Sequence, residues 1–521
     1  MHQSKGEKSS SLALFLVLAI GVALRLGTYI GDDSPWRDEA KLFMSLLETS
    51  FSDLDHPLPG DQKCPLLLAF LLKALIEAGF TTSASIRLPS LLAGIILLLV
   101  MYRILTSLGE PDERPTGTLP LLALVCVAPH LLIFCNQAKP YAFDILCSAV
   151  ILLLSLRILS EEGPAARPAL WGTLCWIALL VSYSAVFVVA STLLAIAYKR
   201  GRRGLVTGLV ISLGCLLIIG ATYPLGSEKS EYMRRFWADG FATAQASWWM
   251  KAAAQTFFYW MASPNLLSVR WLTLLLGWIF GPLFLLGMVG LKKRNQWAEF
   301  MVLMTPVALS LVASAFEKYP YRDRLLVFLF PQILTLVALG LRELRSGSVL
   351  RSATSRYISL VAVGIGIVSA AELMAPCPGT LEGLQIIRLR GGSGDVVLVD
   401  LLASQVVRYQ LWAWKQKGIE PAMVFRYEWL DETNQQGRPN PDEVVSKLPG
   451  HSRVWFLAEP QGYQRYLAGD ISNSARGLIQ SLEKRRSPLL RVAVPRLFVG
   501  CFSAQLSDVS TSTGRASGER F

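Results

Sequence analysis

The sequence predicts an α-helical polytopic membrane protein with about eleven transmembrane helices, followed by a small C-terminal α/β soluble domain. Three observations predict it. Apolar runs long enough to cross a bilayer recur through the first 374 of 521 residues. The whole chain is 52% hydrophobic and 17% charged, a balance that suits lipid as the solvent better than water. After Met374 the composition turns polar, and short apolar strands bounded by glycine and proline replace the long runs.

The runs of spanning length are 11–30, 83–107, 118–135, 141–159, 205–225, 271–291, 298–316, 324–341 and 357–374, with two short arms inside 169–198. The last stretch is too long for one upright helix, and Ser182, Tyr183 and Ser184 at its middle predict a hairpin. The hairpin also settles parity. With it, the basic segments 199–203, 292–294 and 342–356 fall on the same side as Lys5 and Lys8, as positive-inside orientation requires. The first run reads as an uncleaved anchor, because Arg25 interrupts it and no small-residue cleavage pattern follows. The transmembrane domain is thus expected over residues 1–374, with the N-terminus cytoplasmic in a cell inner membrane. The external face then carries a long loop (31–82), a short loop (136–140), a loop at 226–270, the turn 317–323 and the C-terminal domain. Within the first loop, 64–80 is apolar but short and carries Lys73 and Glu77 one turn apart, so it is expected to lie flat in the headgroup layer.

The net charge of +12 is spread between apolar runs, which orients spans and offers no nucleic-acid face. The eight cysteines and four histidines show no metal-ligand spacing. Spacing leaves open whether Cys377 and Cys501 are bridged.

Candidate chemistry lies in the external loops. Trp36-Arg37-Asp38-Glu39-Ala40 opens an apolar-periodic stretch, and its two carboxylates suit either a helix cap or an acid acting on an acceptor or a cation. Gln62 precedes the interfacial segment, and Arg87, where the chain re-enters the bilayer, suits either snorkelling or a lipid phosphate. Lys139-Pro140-Tyr141 leads to Asp144, a carboxylate one turn inside the next span, with Lys139 its nearest partner in sequence. Trp237 and Asp239 sit in an aromatic loop that fits an interfacial belt or a sugar platform. Tyr321, Arg322 and Arg324 form a cationic turn fitting either a phosphate site or an anchor for the next span.

Taken in order, these segments resemble the bacterial members of the GT-C glycosyltransferase superfamily, which includes protein O-mannosyltransferases and lipid A aminoarabinose transferases. The resemblance runs from Trp36-Arg37-Asp38-Glu39-Ala40 through Asp61-Gln62-Lys63-Cys64-Pro65-Leu66, Ile86-Arg87-Leu88-Pro89 and Lys139-Pro140-Tyr141-Ala142-Phe143-Asp144. It continues through Phe236-Trp237-Ala238-Asp239-Gly240-Phe241 to Tyr319-Pro320-Tyr321-Arg322-Asp323-Arg324-Leu325-Leu326. It implies a membrane transferase that takes a sugar from a polyprenyl-phosphate carrier and moves it, with inversion, to a glycan, lipid or protein acceptor on the external face. It further implies Asp38 as catalytic or metal-facing carboxylate with Glu39 beside it. Lys139, Arg322, Arg324 and Arg87 are implied for the carrier phosphate, and Tyr141, Asp144, Trp237, Asp239, Tyr321 and Gln62 for substrate. The resemblance leaves room for a divalent metal, Mg2+ or Mn2+, facing Asp38, and Gln137, standing where many relatives have glutamate, leaves that dependence open. Membrane lipids are expected neighbours. The alternative is a transporter or flippase of lipid-linked glycans, which should show internal repeats; none is evident. A non-catalytic scaffold would need Asp38 and Glu39 only as caps.

An external α/β domain is expected over 375–506, with strands at 395–400, 453–457 and 495–502 and a helix at 401–417, followed by a disordered tail, 507–521.

Overall fold

The computed structural model describes residues 3–31, 35–108, 114–160, 167–222, 237–258, 270–345, 363–364, 367–368, 380–399, 401–426, 446, 448, 453–458, 482, 486–494 and 497–504. The chain divides into two compact units, Met1–Pro376 and Cys377–Phe521. In the first, the helices are α1 (Gln3–Gly31), α2 (Arg37–Glu48), α3 (Leu66–Glu77), α4 (Ser83–Ser107), α5 (Arg114–Val127), α6 (Pro129–Phe134) and α7 (Tyr141–Leu159). They continue as α8 (Arg167–Val181), α9 (Ala185–Thr222), α10 (Ala246–Phe258), α11 (Arg270–Lys293), α12 (Trp297–Ala315) and α13 (Phe330–Arg345). Among the described residues, five helical stretches are long and apolar enough to cross a membrane: Ser11–Ile30, Ser83–Ser107, Tyr141–Leu159, Trp297–Ala315 and Asp323–Leu344. The expected run at 357–374 lies almost wholly outside the described residues, as do Cys377 and the tail.

Breaks between helices follow from identifiable residues. The run expected over 118–135 is two helices, because Pro129 has no N–H to give Val125 O. Arg25, buried inside α1, satisfies the freed carbonyls instead, donating to Val125 O and Cys126 O at 3.3 Å each and to Gly21 O at 2.9 Å. It thus answers the negative end of the α5 dipole at membrane depth. The predicted hairpin breaks at Ser182–Ser184, where Ser182 Oγ accepts from Ala185 N at 3.2 Å and caps α9. The helical run α9 bends at Gly201, whose φ of 55° and ψ of −135° suit only glycine.

Helices α11 and α13 approach until backbones touch. A methyl group added at Gly287 would run into Leu336 O, and one at Gly340 into Leu283 O. Basic side chains on the predicted cytoplasmic side cap helix ends: Arg200 donates to Ile158 O at 2.8 Å and Arg342 to Leu108 O at 2.7 Å. One continuous apolar core, including Met101, Leu122, Leu152, Val188, Val302 and Leu334, joins these helices. Leu213, Leu217, Leu285 and Val312 point outward, as lipid-facing positions should. The predicted interfacial helix is α3, which exposes Leu67, Phe70 and Leu71 and buries Lys73, paired to Glu77 at 2.6 Å.

The second unit comprises α14 (Thr380–Arg390), β1 (Val396–Val399), α15 (Leu401–Gln416), β2 (Val424–Arg426), β3 (Val454–Ala458), β4 (Arg486–Val494) and β5 (Leu497–Ala504). The sheet order is β2-β1-β3-β5-β4, with β1 parallel to β2 and β3, and β5 antiparallel to β3 and β4. Every residue of β1 is buried, as a central parallel strand requires. The three expected strands are present, the third as Leu497–Ala504. Two more were missed: β2 is only three residues long, and β4 is interrupted by Pro488 and Arg491.

Candidate active site

The acidic pair of the first loop begins α2, and its two carboxylates go to different places. Glu39 is at the third helical position and accepts from the N–H of Trp36, the N-cap residue, at 2.9 Å. It also takes a forked pair from Arg87, Nε to Oε1 at 2.9 Å and Nη2 to Oε2 at 2.7 Å, and the N–H of Ala138 at 2.6 Å. Both side chains are essentially inaccessible, 0% for Glu39 and 1% for Arg87. Helix capping therefore describes Glu39, and both oxygens are fully engaged. Arg87, expected at a carrier phosphate, is buried on Glu39 and ties α4 to α2 and to the second loop.

Asp38 turns to other partners. Its side chain is 18% exposed, and Oδ2 meets Arg324 Nη2 at 3.0 Å while Oδ1 meets Arg37 Nε at 3.4 Å. The Arg324 guanidinium lies over three rings, Trp36 at 5.0 Å, Tyr141 at 5.6 Å and Trp237 at 6.0 Å. Four segments far apart in sequence thus converge on one guanidinium–carboxylate contact. Trp36 was missed as a site residue; its place in the motif was the available signal.

Lys139 is buried, at 6% exposure, and donates to Gln62 Oε1 at 2.8 Å. Burial lowers its pKa to about 8, against the opposing pull of Asp38. Burial pushes the Asp38 carboxyl up, but Arg324, Lys139 and Arg37 outweigh it and hold the group below the ordinary carboxylate value. Both groups are therefore charged near neutral pH.

The turn after α12 carries the remaining cations. Arg322 lies 2.9 Å from Asp323 and 3.8 Å from Asp239, so those two expected site residues do meet. Tyr321 anchors the turn: its N–H donates to Gly240 O at 2.7 Å, and its hydroxyl shares a 2.6 Å hydrogen bond with Thr256 of α10. Asp144 is buried elsewhere, accepting from Ser182 Oγ at 2.5 Å. The loop-locking contact between Lys139 and Asp144 is not formed. Lys139 turns to Gln62 instead, and the serines that break the α8–α9 hairpin satisfy the intramembrane acid.

No protein-family model matches the sequence, and no curated protein matches it. Solved structures do. ArnT from Cupriavidus metallidurans in its apo state is similar over 95% of this chain and 98% of that one, with a TM-score of 0.54 at 13% identity. The chain shares the fold of ArnT. The apo oligosaccharyltransferase of Archaeoglobus fulgidus is similar over 96% of this chain and 75% of that one, with a TM-score of 0.50 at 13% identity. The likeness spans the helical unit and the long first loop carrying Asp38.

A divalent cation at Asp38 would need a set of oxygen donors around it. Among the described residues, no three His, Cys, Asp or Glu side chains come together. Both Asp38 oxygens face guanidinium groups, and Glu39 is fully hydrogen-bonded. These residues do not fit a hard dication at Asp38.

Proposed function

We propose that this chain is a membrane glycosyltransferase that moves a hexosyl or pentosyl group from a polyprenyl-phosphate carrier to a glycan, lipid or protein acceptor on the external face, with inversion. The observation that carries the reading is Asp38 opposed by Arg324 at 3.0 Å with Lys139 close by, walled by Trp36, Tyr141 and Trp237. Such a donor needs three things from the protein: an oriented acceptor, a base, and positive charge where the leaving phosphate gathers its electrons.

In the proposed step Asp38 takes the acceptor hydroxyl proton as the acceptor oxygen attacks the anomeric carbon from the face opposite the phosphate. The bond from that carbon to the phosphate oxygen breaks, and the polyprenyl phosphate leaves with the electron pair. Lys139, Arg322 and Arg324 receive the added negative charge. Arg324, already on Asp38, joins the basic and leaving-group halves of the site. Tyr141 and Trp237, with Trp36, offer faces against which a sugar ring packs. Gln62 positions Lys139, and Tyr321 positions the cationic turn. Asp239 orients Arg322, and Asp144 supports the start of α7 through Ser182. Glu39 and Arg87 hold the framework and take no part in proton or phosphate chemistry. No step runs through a metal. The basic loops face the cytoplasm in this reading, and the loops bearing the site face outward.

Reconstitution in liposomes with undecaprenyl-phosphate-linked sugars and an envelope-extract acceptor tests the proposal. Asp38→Asn should lower transfer by about two to four orders of magnitude with the melting temperature retained. Undiminished transfer would remove Asp38 from the chemistry, and carrier movement across the bilayer without transfer would favour a flippase.

A further inference from the structure

Arg322 and Arg324 are two residues apart yet serve different partners, and the backbone between them is unusual. Asp323 has a φ of 46°, in the left-handed region where few residues other than glycine sit and where aspartate and asparagine are the best tolerated. Arg322 before it is extended, with φ −153° and ψ 140°, and a 3-10 turn, Asp323–Leu329, starts immediately after. The chain therefore turns sharply at this residue. Arg322 is directed to Asp239 at 3.8 Å, and Arg324 to Asp38 at 3.0 Å.

The Asp323 side chain holds the turn from both sides. Its Oδ2 accepts from Arg322 Nε at 2.9 Å, and its Oδ1 accepts from Gln255 Nε2 of α10 at 3.1 Å. The next residue of α10, Thr256, bonds the Tyr321 hydroxyl. Adjacent side chains of one helix thus grip the cationic turn at two points.

We propose that Asp323, held by Gln255, is a positioning residue whose left-handed backbone divides the two arginines, sending Arg324 to the carboxylate and its aromatic walls. The assignment rests on the phosphate-handling reading of this site, but its central claim about Arg324 and Asp38 can be tested without any ligand.

The test uses the full chain. Melting temperatures of Asp38→Asn, Arg324→Gln and the double variant give the coupling between those two side chains, in backgrounds that differ at residue 323. The coupling should vanish in Asp323→Ala, survive in Asp323→Asn, and survive in part in Asp323→Gly, because glycine adopts the same φ without strain. In vesicles, binding of undecaprenyl phosphate should weaken about tenfold or more in Asp323→Ala and recover in Asp323→Asn, with KM for a carrier-linked sugar rising more than kcat falls. Coupling left intact by alanine, or lost equally with glycine and asparagine, overturns the proposal. Where Asp323→Ala does not fold, Gln255→Ala decides: it leaves the turn backbone alone, and undiminished coupling there also overturns it. A wild-type protein that ignores undecaprenyl phosphate would sink the transferase reading, while the coupling measurement would still judge Asp323.

Discussion

Glu39 uses all of its hydrogen-bonding capacity inside the protein, and that makes its removal costly. A buried ion pair adds little over a well-packed apolar substitute, but breaking one partner strands the other charge. Glu39→Gln should therefore destabilise the fold by about 3–5 kcal/mol, read as a drop in melting temperature, and Arg87→Met placed on top should restore part of it. Lys139 makes a different prediction. Its pKa is lowered by burial to about 8 from an ordinary 10.5, so between those values the unfolded chain binds the more protons and stability rises with pH. Over the same window the unliganded protein loses the charge that, in the proposed function, would meet a phosphate. Donor kcat/KM should fall above about pH 8 while thermal stability does not, and Lys139→Arg should move that alkaline limb upward. At this scale the sequence was only half legible. An acidic pair after a first span is visible by inspection, but which member caps and which faces a cation depends on Arg87 and Arg324, and no local pattern names a partner 48 or 286 residues away.

At the scale of elements, length and apolarity made the spans legible, because the bilayer fixes how long an apolar helix must be. What stayed hidden were interruptions that only a missing N–H produces. The run at 118–135 read as one span until Pro129 divided it, and the run at 324–341 begins as a 3-10 turn that becomes α13 only where Pro331 takes an early helical position. Hydropathy is blind to both, since proline among leucines leaves the average almost unchanged. Helix contacts were equally invisible, yet they position the site, because α13 continues the turn that carries Arg324. Gly340→Ala should force the α11–α13 crossing apart and cost about 1–3 kcal/mol, seen as a lower melting temperature in detergent. Gly281→Ala on the same α11 helix meets open space and should change little.

For the molecule as a whole, the contacts at Arg324 and around Lys139 collect residues 36–38, 62, 139–141, 237 and 322–324, which no single element holds. Those segments can meet only if every loop carrying one emerges on the same side of the membrane, so parity of the spans is a condition for function. In the proposed layout the α8–α9 hairpin supplies that parity, and its Ser182 also binds Asp144. Single cysteines on exposed basic positions put the arrangement to the test. Lys63, in the first loop, and Lys292, at the end of α11, are both accessible. Lys63→Cys should react with a membrane-impermeant maleimide in intact cells, whereas Lys292→Cys should react only after the membrane is opened. The six cysteines of the described membrane unit are buried or half-buried and should contribute little background. Labelling of both positions from outside would mean that an odd number of crossings separates them from the expected layout. Asp38 and Arg322–Arg324 could then not share one face, and their 3.0 Å contact would have to be abandoned along with the chemistry drawn from it.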